Sequence, residues 1–142
     1  MNICIIQHGT KEYQLSVLLR DEILRKPLKL SFDPAQLAKE DKDIHIVGFI
    51  GEKMAATLML CHNSEDIIQM RQVAVSNDFQ KQGLGKKLVI YAENYAREKG
   101  YKTMYLHARK VASGFYLALG YEIVGDEFKE VNIPHFAMQK KL

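Results

Sequence analysis

A strand, a tight turn with two glycines and a long amphipathic helix follow one another between residues 73 and 98. The strand ends in Val73-Ala74-Val75, and the turn reads Gln80-Lys81-Gln82-Gly83-Leu84-Gly85-Lys86. Apolar side chains recur at helical spacing in the helix, at Leu84, Leu88, Val89, Ala92, Tyr95 and Ala96. The first N–H groups of a helix lack internal acceptors, and glycine lets a ligand approach the backbone closely. The segment therefore predicts an anion-binding turn that connects a sheet to a packed helix.

Two glycine patterns that bind phosphate elsewhere do not fit this turn. A P-loop requires GxxxxGK[ST], and a dinucleotide-binding fold has GxGxxG directly after a strand, early in a βαβ unit. Here a single GxG occurs, at Gly83-Leu84-Gly85, and Gln80 precedes the first glycine by three residues. The turn is therefore of another kind.

The remainder of the chain predicts short strands mixed with helices, without repeats. Strands are expected at residues 3–7, 44–50, 54–61, 67–75, 103–107, 121–124 and 136–138. Helices are expected from residue 11 to about residue 24, at 34–38 after Asp33 as N-cap, at 84–98 and at 112–119. Because helices alternate with strands only in part, the fold class is α/β or α+β, with a sheet of mixed direction.

The composition is that of an ordinary globular protein, with 47% hydrophobic and 26% charged residues among 142. A chain of this length is expected to form one domain, here residues 1–142. No apolar run approaches the ~20 residues that span a bilayer, and no secretory leader is recognisable, so no membrane partner is expected. Cys4 and Cys61 stand far apart and form no CxxC pair. We therefore expect reduced thiols and a cytoplasmic location.

Neither the histidines nor the net charge indicates a metal or a nucleic acid. The five histidines show no HxxxH or HExxH spacing, which disfavours a metal site. The formal net charge is +3 and no long basic block concentrates it, so nucleic acid is not an expected partner. Lys81, Lys86 and Lys87 crowd the glycine turn, where they would suit a small anionic ligand.

Two motifs carry a resemblance to a known family. The pattern Q/R-x-x-G-x-G/A at residues 80–85 resembles the acetyl-CoA loop of the GNAT N-acetyltransferase superfamily. One helix and one strand later, Ala-Ser-Gly-Phe-Tyr-Leu-Ala-Leu-Gly-Tyr at residues 112–121 resembles its second signature, A-x-x-F-Y-x-x-x-G-F/Y. With the preceding strands, the resemblance covers nearly the whole chain, which is identified as a member of that superfamily.

Further segments are similar to a branch of small bacterial GNAT proteins related to the ElaA-like group, whose substrates are mostly unassigned. These segments are residues 19–28, 69–75, 106–109 and 133–138. The chain departs from many better-understood members where they carry an asparagine after the strand that precedes the second signature. Here His107-Ala108-Arg109 stands at that place. The acceptor chemistry of those enzymes therefore does not transfer directly to this chain.

The resemblance implies a mixed, mostly antiparallel central sheet flanked by helices, with two parallel strands that splay apart, here residues 67–75 and 103–107. It implies an N-acetyltransferase that moves an acetyl group from acetyl-CoA to a small-molecule amine by direct transfer in a ternary complex, without a metal. The alternative is a GNAT domain that binds acyl-CoA as a sensor or structural ligand, without turnover. The residues that the resemblance assigns to the cofactor are Val73, Ala74, Val75, Gln80, Lys81, Gln82, Gly83, Leu84, Gly85, Lys86, Phe115 and Tyr116.

Direct transfer needs a group that accepts the amine proton and one that protonates the leaving thiolate, because a free amine has a pKa of about 10 and a thiol of about 8.5. The resemblance places Tyr116 where family members often have the acid, and a role in the core is the alternative. Glu130 and His135 are candidates for the base, and His107 is a rival at a strand end. Cys61, late in a strand, fits a small core residue better than an acyl-carrying nucleophile.

A basic set of side chains could line an acceptor pocket together with Glu130 and His135. Its members are Arg20, Arg25, Arg71, His107 and Arg109. Strand alternation predicts that Arg71 shares a face with Val73 and Val75. Guanidinium groups bind carboxylates and phosphates bidentately, so the pocket would suit an anionic acceptor. The alternative is a structural ion-pair network around Glu130. A monomer and a homodimer both remain open.

Overall fold

A seven-stranded sheet forms the centre of the computed structural model, which describes residues 1–142. The strands are β1 (Asn2–Ile6), β2 (Ile44–Ile50), β3 (Lys53–His62), β4 (Ile67–Val75), β5 (Thr103–Arg109), β6 (Glu122–Glu130) and β7 (Ile133–Lys141). Their order across the sheet is β1-β2-β3-β4-β5-β7-β6. Every neighbouring pair is antiparallel except β4 and β5, which are parallel. The predicted mixed, mostly antiparallel sheet is confirmed.

Four α-helices connect the strands: α1 (Lys11–Arg20), α2 (Pro34–Ala38), α3 (Leu84–Glu98) and α4 (Ser113–Ala118). The Asp33 side chain accepts a hydrogen bond from the Ala35 N–H, so the predicted N-cap of α2 is confirmed. The first helix is shorter than predicted. Past Arg20 the chain continues as a π-helical turn (Asp21–Arg25) and a 3₁₀ turn (Lys26–Leu28).

The main core lies between α3 and the middle of the sheet. Apolar side chains of α3 are fully buried there, at Leu88, Val89, Ala92 and Ala96, as their helical spacing predicts. Ile46 of β2 belongs to this core, while the adjacent Val47 belongs to a smaller cluster with Ile6 of β1 and Tyr13 of α1. Because successive strand residues point to opposite faces, α3 and α1 cover opposite faces of the sheet.

A buried carboxylate fixes the C-terminal half of α3 to the sheet. Glu93 is 2% exposed, and it accepts hydrogen bonds from the Tyr121 hydroxyl at 2.8 Å and from Lys140 Nζ at 3.1 Å. A buried charge is tolerated when it is paired and hydrogen-bonded in this way. The network joins α3 to Lys140 of β7 and to Tyr121, which follows the turn at Gly120 after α4.

The two parallel strands separate halfway along their length. β4 and β5 are paired only from Ile67 opposite Thr103 to Met70 opposite Leu106. β5 continues and stays paired with β7 as far as Arg109. The last five residues of β4, 71–75, therefore have no neighbouring strand on the β5 side. The predicted splay is confirmed, and it opens a gap in the sheet.

A bulge in β4 coincides with the start of the gap. Arg71 lies opposite Met59 of β3, whereas Ala74 lies opposite Thr57, so three steps along β4 match two along β3. Gln72 takes a left-handed conformation with φ 57°, which accommodates the extra residue. Residues opposite each other in an antiparallel pair share a face. Arg71 therefore shares its face with Ala74 rather than with Val75, and the prediction from simple strand alternation was wrong.

The last two strands form a hairpin that is longer than predicted. β6 extends to Glu130 and β7 begins at Ile133, whereas strands were expected only at 121–124 and 136–138. The two turn residues, Val131 and Asn132, both have positive φ, at 45° and 63°. A two-residue turn of this kind matches the twist of a hairpin. It brings Glu130 to the mouth of the gap.

Candidate functional site

The gap between β4 and β5 is a cleft with two connected parts. The basic part has a volume of about 630 Å³ and lies between β4, β5 and the π-helical turn. The turn part has a volume of about 430 Å³ and lies beside the glycine turn and α4. Four residues line both parts: Ile23, Val73, Ala112 and Tyr116. The cleft is therefore continuous from the start of α3 to the end of β5.

The turn part gathers almost all of the predicted cofactor residues. Those that line it are Val73, Ala74, Val75, Gln80, Lys81, Gly83, Leu84, Gly85, Lys86, Phe115 and Tyr116, whereas Gln82 is exposed outside it. The Gln80 side-chain amide donates a hydrogen bond to the Val75 carbonyl at 2.6 Å. That hydrogen bond holds the turn against the end of β4.

The beginning of α3 leaves backbone donors open to this part of the cleft. Gly83 occupies the N-cap position with φ 74°, and no side chain caps the helix. The first N–H groups of the helix therefore lack acceptors, and the helix dipole adds positive potential there. Gly85 has room for a ligand because it carries no side chain between Phe115 and Val75, each 3.5 Å from where a Cβ would stand. The turn can receive an anion, as its sequence predicts.

Tyr116 occupies the junction of the two parts. Its side chain is 8% exposed, and its hydroxyl makes no hydrogen bond to the rest of the chain. The ring packs edge-on against Phe115 and Tyr121, with centroid distances of 5.0 Å and 5.8 Å. Burial raises the pKa of Tyr116 to about 12, so the phenol keeps its proton at neutral pH. An unpartnered phenol in a cleft can donate to a bound ligand.

The Glu130 carboxylate is held between two imidazoles at the basic part. His107 Nδ1 lies 3.0 Å from Glu130 Oε1, and the Tyr105 hydroxyl lies 3.0 Å from His107 Nε2. His135 Nδ1 donates to the Ile133 carbonyl, which leaves its Nε2 facing Glu130 Oε2 at 3.5 Å. A carboxylate only accepts, so His107 carries its proton on Nδ1 and its Nε2 accepts from Tyr105. The predicted base candidates are brought together.

His135 and His107 differ in their access to the cleft. His107 lines the basic part, whereas His135 is 4% exposed and lies behind Glu130, outside that lining. Sequence reasoning missed Tyr105, although its place two residues before His107 in a strand puts both on one face. It also missed Phe128, whose ring packs edge-on against His107 at 5.0 Å. These two aromatic residues fix the plane of the His107 ring.

Three of the four predicted arginines line the basic part: Arg25, Arg71 and Arg109. Arg25 and Arg109 both donate to the Leu24 carbonyl, at 3.3 Å and 3.0 Å. Burial lowers the pKa of the Arg25 guanidinium, and the positive charges of Arg109, Arg20 and Arg71 lower it further. No ion pair joins these three arginines to Glu130 within 4 Å. The alternative, a structural ion-pair network around Glu130, is not formed by the arginines, and His107 and His135 are the basic residues next to this carboxylate.

Arg20 lies elsewhere. Its guanidinium is 1% exposed and forms a bidentate pair with Glu40, with both N–O distances at 2.8 Å. The Tyr13 hydroxyl donates to the same carboxylate at 2.8 Å. Burial alone would raise the pKa of Glu40, but the hydrogen bonds from Arg20 and Tyr13 outweigh it and hold that pKa below its usual range. The structure does not bring Arg20 to the cleft, and the sequence contains no pattern that marks Glu40 as its partner.

Neither cysteine lines the cleft. Burial raises the pKa of the Cys61 thiol to about 12, so the thiolate is scarce at neutral pH. No cluster of three or more histidine, cysteine or acidic side chains is arranged to hold a metal ion. None of the helices combines the length and apolar character needed to cross a bilayer.

The chain is similar to known proteins in sequence and in fold. Residues 19–142 match the family described as the acetyltransferase (GNAT) domain. An uncharacterized Bacillus subtilis protein, YyaT, is 38% identical over 74 residues, which are 52% of this chain and 50% of that protein. The chain thus spans about half the length of the curated relatives that it matches.

Two crystal structures illustrate the likeness of fold. Escherichia coli ElaA superposes with a TM-score of 0.83 at 18% identity, covering 98% of both chains. An aminoglycoside 6′-N-acetyltransferase complexed with coenzyme A superposes with a TM-score of 0.82 at 17% identity, covering 99% of this chain and 97% of that one. At these identities the likeness establishes the architecture alone.

Proposed function

The chain belongs to the GNAT acetyltransferase family, and from that premise we propose that it transfers an acetyl group from acetyl-CoA to the amine of a small molecule. The observation that carries the proposal is the continuous cleft. It runs from an uncapped helix N-terminus, past an unpartnered phenol, to a carboxylate held by a histidine. One end can bind phosphate, and the other end can take a proton from an amine.

Acetyl-CoA would lie along the turn part of the cleft. Its pyrophosphate would accept hydrogen bonds from the uncapped N–H groups at the start of α3, beside Lys81 and Lys86. Its pantetheine arm would run along β4, where Val73 and Val75 have no neighbouring strand and can pair with its amides. The coenzyme A bound by the structurally similar aminoglycoside acetyltransferase supports this assignment.

The transfer step is a direct attack of the amine on the thioester. The nitrogen lone pair forms the new C–N bond at the carbonyl carbon, and the C–S bond breaks as the tetrahedral intermediate collapses. Glu130, directly or through a water molecule, takes the proton whose removal converts the ammonium to the attacking amine and passes it to solvent. The proton that the nitrogen loses after the attack follows the same route. Tyr116 donates its hydroxyl proton to the departing sulfur, so coenzyme A leaves as the thiol and solvent returns a proton to the phenol. His107 donates to the carboxylate and positions it, and His135 packs next to it.

A ternary complex without an acyl-enzyme is the mechanism that the cysteines favour. The Cys61 thiol is protonated at neutral pH because burial raises its pKa to about 12, and neither cysteine lines the cleft. A covalent intermediate would need an activated nucleophile next to the thioester. The remaining route is transfer between two bound substrates.

The experiment that tests the proposal measures release of the coenzyme A thiol from acetyl-CoA with a panel of amines, and identifies the acetylated product by mass spectrometry. Calorimetric titration with coenzyme A runs alongside. Amine-dependent thiol release together with an N-acetylated product supports an acetyltransferase. Tight binding of acetyl-CoA without any product would instead support a domain that binds acyl-CoA as a sensor or structural ligand. Absence of both would refute the assignment of the cleft.

A further inference from the structure

Three arginines of the basic part, Arg25, Arg71 and Arg109, have no carboxylate partner. The ion pairs of the protein are formed by other basic side chains. Glu130 is the one acidic side chain that lines this part of the cleft, and it is engaged by His107. Arg25 and Arg109 are partly buried, and a partly buried guanidinium group without an anion is unfavourable. The lining of this part therefore carries three guanidinium groups and one carboxylate, and no arginine of the three has a carboxylate within 4 Å.

Two of these guanidinium groups are held next to each other. Arg25 Nη1 and Arg109 Nη2 donate to the same oxygen, the Leu24 carbonyl. The Arg25 guanidinium carbon also lies 4.5 Å from the centroid of the Phe32 ring, which holds the plane of the group. Each guanidinium has five N–H donors, and the contacts within the chain use few of them. Most of the donors remain available to a ligand.

We propose that the acceptor is an amine that also carries an oxyanion group, a carboxylate or a phosphate, and that Arg25, Arg71 and Arg109 bind this group. The inference rests on the proposed function, because it concerns the acceptor of the same transfer. Guanidinium forks match the geometry of both oxyanions. Glu130 attracts the ammonium end, so the charges at the two ends of the acceptor set its orientation. That orientation directs the nitrogen toward the thioester, and the transfer step itself is unchanged.

Paired amines that differ in the oxyanion alone test this inference. The pairs are β-alanine with β-alaninamide, and phosphoethanolamine with ethanolamine. Thiol release from acetyl-CoA gives kcat/KM for each compound. We expect the oxyanion-bearing member of a pair to be favoured about 10- to 100-fold, the range for hydrogen bonds to a charged group. The two pairs separate a preference for carboxylate from one for phosphate.

Variants connect the preference to the arginines. Arg109→Gln should reduce the preference, measured as the ratio of kcat/KM within each pair, by at least about tenfold. Arg71→Gln should act in the same direction, and it guards against misfolding because the Arg71 side chain is exposed. Arg97→Gln is the matched control, since Arg97 is an exposed arginine of α3 that is bonded to Asn94 and lines neither part of the cleft.

The outcomes separate failure of this inference from failure of the proposed function. If neutral and oxyanion-bearing amines are acetylated equally, or if the preference survives in both cleft variants, the inference is overturned while the acetyltransferase stands. If no amine is acetylated, the proposed function fails, and calorimetry of the coenzyme A complex with β-alanine and phosphoethanolamine decides the inference. Binding that Arg109→Gln and Arg71→Gln abolish, and Arg97→Gln does not, would support an oxyanion site. Absence of binding would overturn it.

Discussion

Replacing Tyr116 by phenylalanine removes one hydroxyl from the junction of the two cleft parts and keeps the ring. The hydroxyl makes no hydrogen bond within the chain, and the edge-on contacts with Phe115 and Tyr121 belong to the ring. The substitution therefore breaks no internal contact. We expect the free energy of unfolding to change by less than about 0.5 kcal/mol, which is a Tm change below about 3 °C for a chain of this length.

Catalysis should respond far more strongly than stability. A positioned general acid typically contributes ~10²- to 10⁴-fold, so kcat of Tyr116→Phe should fall within that range. The KM for acetyl-CoA should change little, because the hydroxyl matters as negative charge develops on sulfur. Since the pKa of Tyr116 is raised to about 12, its phenol stays protonated across the working pH range. Raising the pH should not restore the variant, because phenylalanine has no proton to give to the departing sulfur.

The assay is steady-state thiol release, with thermal melts of the same preparations, on an amine found active. Tyr95→Phe is the matched control, because Tyr95 is a half-buried tyrosine of α3 whose hydroxyl also has no partner within the chain and which does not line the cleft. The control should retain both kcat and Tm. A loss of kcat below about threefold in Tyr116→Phe would refute the role of the hydroxyl as acid. A large fall in Tm of Tyr116→Phe would instead contradict the conclusion that the hydroxyl makes no stabilising contact within the chain.

Three further expectations concern the turn, the thiol and the buried ion pair. Gly85→Val should weaken coenzyme A binding at least about tenfold in calorimetry, because its side chain would lie between Phe115 and Val75, whose atoms are 3.5 Å from the Cβ position. Gly83→Ala should in addition lose about 1 kcal/mol of stability because its φ is 74°. Cys61→Ala should keep kcat within about threefold and give intersecting initial-rate lines; parallel lines with an acetylated Cys61 peptide would contradict direct transfer. Glu40→Gln should lose about 3 kcal/mol in denaturant titrations at neutral pH, because it leaves the buried Arg20 unpaired. The pKa of Glu40 is lowered from about 4.5. The loss of unfolding free energy caused by Glu40→Gln should therefore be complete above pH 4.5 and become smaller as the pH falls through the lowered pKa. A loss that does not depend on pH would contradict this account.

Local patterns in the sequence determined the elements around the cleft. The 3.6-residue spacing from Leu84 to Ala96 identified α3 and its buried face, since a helix buries one stripe whatever it packs against. Gly83 stands before the helix with φ 74°, a conformation that glycine adopts at little cost. Together with the second motif, these patterns led to the GNAT family and to the splayed parallel strands, both confirmed. Such features depend on residues close in the chain.

Contacts between distant segments decided the character of the basic part. The partner of Arg20 is Glu40, which is 20 residues away and follows no periodic pattern, so the guanidinium is used in the core rather than in the cleft. The His107–Glu130 pair joins residues 23 apart and depends on the length of the β6–β7 hairpin. Sequence reasoning placed these side chains in one region but could not tell which of them would pair.

The bulge in β4 was decided by tertiary structure as well. Alternation assumes an unbroken ladder, and one extra residue at Gln72 transfers the following side chains to the other face. A bulge is selected by the register of the neighbouring strand and by the twist of the whole sheet, neither of which is written in the bulged segment itself. The family was thus identified from the resemblance of two motifs, and the elements around the cleft from local spacing. The pairing of the charged groups and the face that Arg71 presents required the assembled sheet, because both are set by interactions between segments that meet only in the folded chain.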